Sequence, residues 1–428
     1  MTIASETKLI RAIGLKEIIA MTINGIIGAG IFAVPATIAA ILGMASPLAF
    51  ALAGLCSAII VICFAELGGK FDRTGGAYLY AYEAFGEQIG FVLGWLYFLA
   101  RLTSIAALSN AMAGFLSYFV PVDETLRAIV VAFVLVTLGG INYSGIRFSS
   151  NIINFLTIAK LLPLFLFIIV GFGLIQWKVL LTTPLPEAGK LSQALLLAIF
   201  AFSGFEVIAI PGAEIIQPKR NLPLGILIGT GVTILVYVSI QTVAVSAYEK
   251  LAGSQSPLAE AADVILGSKG GSILSAGAFC STLGTLTSLL LVGPRILYAM
   301  ALNRQMPAAF NRIHDRFRTP HVTILITTVL AIALALTGTF TALATMSAIV
   351  RLLTYIGAAA ALIVLRKKQP SPETFRAPVG ILFPLLAIVL SVFMLSGATM
   401  RQWIAGALAV GVGAILYFFS RTKIATAP

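Results

Sequence analysis

The stretch Thr22-Ile23-Asn24-Gly25-Ile26-Ile27-Gly28-Ala29-Gly30-Ile31-Phe32 sets three glycines in the middle of an apolar run long enough to cross a bilayer. In hydrocarbon every unpaired backbone N–H or C=O costs several kcal/mol, so irregular backbone survives at membrane depth only where protein buries it or a cavity is lined by it. Each glycine inside a helix also disfavours it by about 1 kcal/mol relative to alanine. A break at Gly28 to Gly30 therefore marks either a close helix crossing or a built site, and these two readings weigh about equally on this segment alone.

The rest of the chain makes the membrane setting firm. Of 428 residues, 59% are apolar and 10% charged, with a mean hydropathy of +1.02, the composition of a polytopic membrane protein. Twelve apolar stretches of roughly span length run over 17–40, 45–68, 88–118, 127–145, 152–175, 192–217, 222–247, 272–302, 322–338, 342–365, 379–397 and 403–420. The third and eighth exceed one untilted crossing and predict tilt or helix beyond the bilayer. No cleavable leader is expected, since the apolar run after the basic start is broken by glycines and lacks a small-residue cleavage site.

With the N-terminus inside, the cytoplasmic segments carry 19 Lys and Arg against 6 outside, which predicts cytoplasmic termini. The whole net charge of +12 then lies on one face. Topogenic loop charge accounts for it, and no basic patch with aromatic platforms argues for nucleic acid. Cys56 and Cys63 lie seven residues apart on one helix, roughly 10.5 Å along its axis and beyond disulfide reach. Cys280 is intramembrane, and His314 and His321 sit in a basic loop with no cluster to complete a metal site, so neither metal nor cofactor is expected.

A second interruption falls in 192–217, at Phe200-Ala201-Phe202-Ser203-Gly204-Phe205-Glu206, with Pro211-Gly212 and Glu214 beyond it. The first and sixth stretches are five apart, the pattern of an inverted five-plus-five repeat whose leading helices are discontinuous. Two half-helices meeting at the midplane offer free N–H and C=O groups with dipole ends of opposite sign. A zwitterion suits that arrangement: its carboxylate against the N–H groups around Gly28, Ala29 and Gly30, its ammonium near the carbonyls of Ile27, Phe200 and Ser203.

Intramembrane charges cost about 2.5 to 3.5 kcal/mol at a helix centre on insertion scales, so each needs a reason. Glu206, directly after the second break, reads as a proton carrier, a counter-ion for a cationic substrate, or a cap on freed backbone. Lys160 lies too deep to snorkel; it fits the place of a sodium ion or a proton-exchanging group, or else a structural ion pair. Arg101, four residues after Tyr97, reads evenly as structural or functional. Glu66, Glu214 and Arg351 sit nearer helix ends and read as structural or gating ion pairs.

These segments together resemble the amino acid–polyamine–organocation superfamily of transporters over nearly the whole length. Gly25 to Phe32 resembles its first-helix glycine motif, with Ala29 where serine is usual. Ala65-Glu66-Leu67-Gly68, with Gly75-Gly76-Ala77-Tyr78-Leu79-Tyr80 and Phe85-Gly86, resembles its second span and first loop. Phe200 to Glu206 with Pro218-Lys219-Arg220-Asn221-Leu222-Pro223 resembles the sixth helix and its exit, and Arg295 to Ala301, Met306-Pro307 and Thr319-Pro320 the eighth-helix tail.

The resemblance implies an all-α polytopic membrane protein with a LeuT-like fold of twelve helices. Its five-helix repeats would occupy 17–175 and 192–365, followed by accessory helices over 379–420. It implies substrate contacts at Ile27, Gly28, Ala29, Gly30, Phe200, Ala201, Ser203, Gly204 and Glu206, with Lys160 standing in for a sodium site and Lys160 or Glu206 carrying the coupling. Arg101 with Ser104 resembles the light-chain, L-type branch, whereas Glu206 resembles the cationic amino acid and polyamine branches. The loop Val120 to Thr125 lacks the cysteine that links animal light chains to a heavy chain, so no covalent partner is expected.

The expected function is sodium-independent amino acid transport by alternating access, as proton symport or exchange, in a bacterial inner membrane. The alternative is a polyamine or cationic amino acid antiporter of the same fold. An enzyme would need convergent acid–base, nucleophilic or metal groups, and a channel a filter or a ring of charge; the sequence offers none of these. A receptor would bind amino acids without flux.

Overall fold

An apolar chain in hydrocarbon must pair its backbone within each segment, and the molecule is accordingly built from helices. The computed structural model describes residues 13–71, 76–145, 150–207, 215–368, 375–377 and 379–425. By length and composition, seven helical stretches are able to cross a membrane: Gly30–Lys70, Glu87–Leu116, Glu124–Tyr143, Arg220–Ala247, Ser268–Leu302, Phe340–Lys368 and Met400–Phe418. The chain is thus an integral membrane protein of several spans. Four more apolar helices, Ala159–Leu174, Ala188–Ala201, His321–Thr337 and Leu382–Leu395, are shorter.

The first apolar stretch of the sequence resolves into two half-helices, α1 (Leu15–Ile26) and α2 (Gly30–Leu42). α1 starts at Gly14, whose N–H donates to the Glu17 carboxylate at 3.0 Å. α3 (Ser46–Lys70) returns, α4 (Gly76–Phe85) lies beside its end, and α5 (Glu87–Leu116) runs through the middle of the bundle. Its apolar window is 78% buried, against 28% for α6 (Glu124–Tyr143) and 17% for the last helix, so α5 is the axis and those two lie at the rim.

α7 (Ser150–Gly171) and the short α8 (Trp177–Thr182) lead to α9 (Ala188–Ala201), which stops at the second break. α10 (Pro218–Ala247) follows, packed on α1 and α3. Its contact with α1 is close because Gly225 and Gly229 face it: a Cβ there would lie 2.4 Å from Ile18 and 2.5 Å from Thr22. Small residues at a helix crossing let backbones approach, which is how membrane helices gain packing without a hydrophobic drive.

α11 (Pro257–Leu266) lies across α12 (Ser268–Leu302), and α13 (His321–Thr337), α14 (Phe340–Lys368), α15 (Leu382–Leu395) and α16 (Met400–Ala425) complete the order. α14 packs along α5, with α4 and α9 beside it.

The two ends of the bundle are fastened differently. At the end where α1 begins, Ile13 and Ile215 form a parallel bridge and the Ile216 N–H donates to the Ile13 carbonyl at 2.8 Å. There too Arg366 forks onto Glu66, whose Oε2 also accepts the Ala377 N–H at 2.7 Å. At the opposite end α11 is held by side chains: Tyr118 donates to Asp263 at 2.7 Å, Tyr248 to Glu260 at 2.8 Å, and Ser256 to the Gly114 carbonyl at 2.9 Å.

Candidate functional site

The first break is a tight backbone turn. Ile27 adopts φ −70° and ψ 82°, and the Gly28 N–H donates to the Ile26 carbonyl at 2.7 Å, the geometry of an inverse γ-turn. α2 restarts at Gly30; the Phe32 N–H donates to the Ala29 carbonyl at 3.1 Å, while Gly30 and Ile31, the first two helical residues, have no preceding helical carbonyl to reach.

Lys160 of α7, 5% exposed, fills the other side: its Nζ donates to the carbonyls of Asn24 at 2.9 Å and Ile27 at 2.6 Å. A cation at a helix C-terminus completes orphan carbonyls and meets the negative dipole end. Among the described residues no carboxylate forms a salt bridge with it.

The second break lies against the first. α9 ends at Ala201, and the Ser203 hydroxyl donates to the Phe200 carbonyl at 2.7 Å. Gly204 has φ +124°, and a Cβ on it would lie 2.3 Å from the Gly25 carbonyl oxygen. Gly30 meets Ala201 in the same way, 2.9 Å from a built Cβ to the Ala201 Cα. Backbone thus touches backbone at two points where the half-helices cross. Tyr237 of α10, fully buried, seals the junction by donating its hydroxyl to the Ile26 carbonyl at 2.9 Å and the Ala201 carbonyl at 3.3 Å, the last residues of α1 and α9.

Glu206 follows in a short turn, Phe205–Val207, and is 1% exposed. Its Oε1 accepts from Arg101 Nη2 at 3.0 Å and from Arg351 Nη1, and its Oε2 from the Gly204 N–H at 2.9 Å and the Tyr355 hydroxyl at 3.3 Å. Arg101 Nη2 also donates to Tyr97 at 2.7 Å, with the guanidinium 4.8 Å from that ring's centroid. Arg351 Nη2 donates to Ser104 at 3.0 Å, and Ser347 links to both Ser104 and the Ala100 carbonyl. Two guanidinium groups therefore converge on one carboxylate at the edge of the second break.

The sequence-derived residues Ile27, Gly28, Ala29, Gly30, Phe200, Ala201, Ser203, Gly204, Glu206, Lys160 and Arg101 all gather in this region. Glu66 does not; it pairs with Arg366 at the end of the bundle where α1 begins. Pro211, Gly212 and Glu214 lie outside the described residues. Arg351, read from sequence as lying nearer a helix end, sits inside α14 and beside the break. Tyr237 and Tyr355 were not legible as site residues, because a tyrosine in an apolar run carries no signal of its partner. A shallow apolar cleft between Phe32, Phe115, Leu258 and Leu274, with no room for a ligand, has no charged lining and is separate from the charged cluster. Among the described residues no group of three or more metal-ligating side chains occurs.

A multi-span bundle with a broken first helix, a second helix that stops beside it and buried charge at their junction is the frame of a membrane carrier rather than of a catalyst. Residues 13–419 match the amino acid permease family, and the chain belongs to it, within the amino acid–polyamine–organocation superfamily. It is a secondary transporter of amino acids or related solutes. Over 454 residues it is 26% identical to the methylthioribose transporter of Bacillus subtilis (strain 168), covering 99% of this chain and 96% of that protein. It is 28% identical over 420 residues to the serine/threonine exchanger SteT of the same organism, covering 94% of each. With cationic amino acid transporter 4 of Mus musculus it shares 30% identity over 394 residues, 86% of this chain and 62% of that one.

Proposed function

We propose that this chain is a sodium-independent amino acid carrier of the bacterial inner membrane that works by alternating access, with proton symport or amino acid exchange as its mode. The reading includes twelve spans with cytoplasmic termini, two inverted five-helix repeats over 17–175 and 192–365, and accessory helices over 379–420. The substrate's α-carboxylate lies at the positive start of α2, where the sequence offers the N–H groups of Gly28, Ala29 and Gly30; the Gly28 N–H already donates to the Ile26 carbonyl, so Ala29 and Gly30 carry the contact. Its ammonium takes carbonyls at Ile27, Phe200 and Ser203. Internal donors already occupy the Ile27 and Phe200 carbonyls, but each carbonyl oxygen has a second lone pair. Ala201 and Gly204 bound the site by their backbone.

The observation that carries this reading is the Lys160 ammonium on the Asn24 and Ile27 carbonyls. A fixed cation there supplies what a bound sodium ion would supply, and Lys160 is the group we assign to the coupling proton. The sequence offers Glu206 as a second such group; its two arginine partners suit it better to holding α5, α14 and the second break together. Those ion pairs also weigh against a polyamine or cationic amino acid antiporter, in which Glu206 would have to leave both arginines for the substrate. Glu66 with Arg366 is a structural or gating pair at one end of the bundle.

Reconstituted protein in liposomes, offered a radiolabelled amino acid panel with and without internal amino acid and with an imposed proton gradient, tests the reading. Uptake without sodium is expected. Uptake only against internal amino acid identifies exchange, and gradient-driven uptake into empty vesicles identifies proton symport. An absolute sodium requirement would overturn the role given to Lys160.

A further inference from the structure

Among the described residues, the charges buried around the two breaks do not balance. Among the described residues the buried carboxylates are Glu66 and Glu206. Glu66 is taken by Arg366 and the Ala377 N–H at the end of the bundle. Among the described residues Glu206 is therefore the one negative charge available to Arg101 and Arg351, each no more than 2% exposed. Even with Lys160 neutral, one positive charge is left over in a region without bulk water. A buried charge lacking a counter-ion is strongly unfavourable, more so in a membrane.

Glu206 is also saturated. A carboxylate offers about four lone-pair sites, and four donors occupy them: Arg101, Arg351, the Gly204 N–H and Tyr355. The arginines are not saturated, because the Nε of Arg101 and the Nε of Arg351 are both buried without a hydrogen-bond partner. The surplus at this cluster is thus positive in charge and donor in hydrogen bonding, and both call for an anion. Because Glu206 bonds the Gly204 N–H, the cluster starts at the break itself.

We propose that the transported substrate is an amino acid with an acidic side chain, whose distal carboxylate docks on Arg101 and Arg351; this rests on the carrier reading above. A neutral amino acid is a zwitterion of zero net charge. Its two α-groups complete the two helix ends and leave the surplus in place. An acidic amino acid brings one further negative charge, which neutralises the surplus and accepts the free Nε–H donors. Ser104, already bonded to Arg351, lies beside the docked carboxylate. An inorganic anion such as chloride is the other source of the same chemistry.

Two measurements on the wild-type protein decide the matter. In proteoliposome counterflow, L-glutamate or L-aspartate is expected to compete at least ten-fold better than L-glutamine, L-leucine or L-lysine, with no change when chloride is replaced by gluconate. In purified protein, L-glutamate is expected to raise the thermal unfolding midpoint where L-glutamine does not. Equal competition by L-glutamine or L-leucine, preference for L-lysine, or neutral amino acid flux that depends on chloride would each overturn the proposal. If no amino acid moves at all, the carrier reading fails, and the thermal measurement still decides whether an acidic side chain binds. Arg351→Gln leaves one arginine on one carboxylate; it is expected to lose the ten-fold preference for L-glutamate over L-glutamine, whereas a purely structural arginine would lower both together.

Discussion

Arg101 and Arg351, carried by α5 and α14, meet on the same carboxylate oxygen of Glu206. Removing that carboxylate leaves two buried guanidinium groups facing each other. Glu206→Gln is therefore expected to lose stability of about 3–5 kcal/mol, the usual penalty for orphaning a buried charge. Thermal unfolding in detergent checks this. Adding Arg351→Gln to it should restore part of the loss, because one of the two repelling charges is then gone. Fully additive losses would mean that the two residues are not coupled.

Gly204 admits no side chain. Its φ of +124° belongs to glycine, and a Cβ would collide with the Gly25 carbonyl. Gly204→Ala is expected to cost about 1–3 kcal/mol from backbone strain, with further loss from separating the two breaks, and to abolish uptake. Wild-type uptake by this variant would show that the contact between the breaks is dispensable.

Much of this junction is legible in the sequence, and what is not has a physical reason. Gly28, Gly30 and Gly204 stand out because glycine and irregular backbone are costly within an apolar span, so their positions betray the breaks without any knowledge of the fold. Lys160 stands out for the same reason, as a charge too deep to reach water. Their partners are another matter. Arg101 and Arg351 find Glu206 only through helix packing between segments far apart in sequence, and the spacing of one helix says nothing about which residue faces it on another. Tyr237 is the extreme case, since its role lies in a hydroxyl shared between the Ile26 and Ala201 carbonyls. The helix Leu382–Leu395 is shorter than the apolar stretch 379–397 that contains it, since hydropathy marks the extent of apolar residues and not where the helix ends.

Lys160→Met keeps most of the side-chain bulk and removes both hydrogen bonds to the first break. The protein is expected to remain folded, with uptake at least ten-fold lower and its pH dependence flattened. Uptake that matches wild type at every pH would remove Lys160 from the coupling step.

Tyr248, outside the spans, holds α11 through Glu260. The hydrogen bond to Glu260, helped by burial, raises the phenol above its ordinary value. The folded state thus holds the proton more tightly than the unfolded one. The contribution of the contact is intact below the free tyrosine value of about 10 and is lost as pH rises through the higher folded value. The protection of residues 257–266 against hydrogen exchange, relative to the intrinsic rate at each pH, is expected to fall in that alkaline window, and in Tyr248→Phe exchange is expected to be quicker already at neutral pH. An exchange rate in Tyr248→Phe that equals wild type at neutral pH would show that the bond does not secure α11.

The clasp between Ile13 and Ile216 is made of main chain alone. Most substitutions at either position leave its donor and acceptor where they are, so this fastening is hidden from the ordinary drift of side chains. Proline at 216 is the exception, because it deletes the N–H. Side-chain changes that rewrite the charged centre for a new solute therefore leave the closure where α1 begins free to form as before.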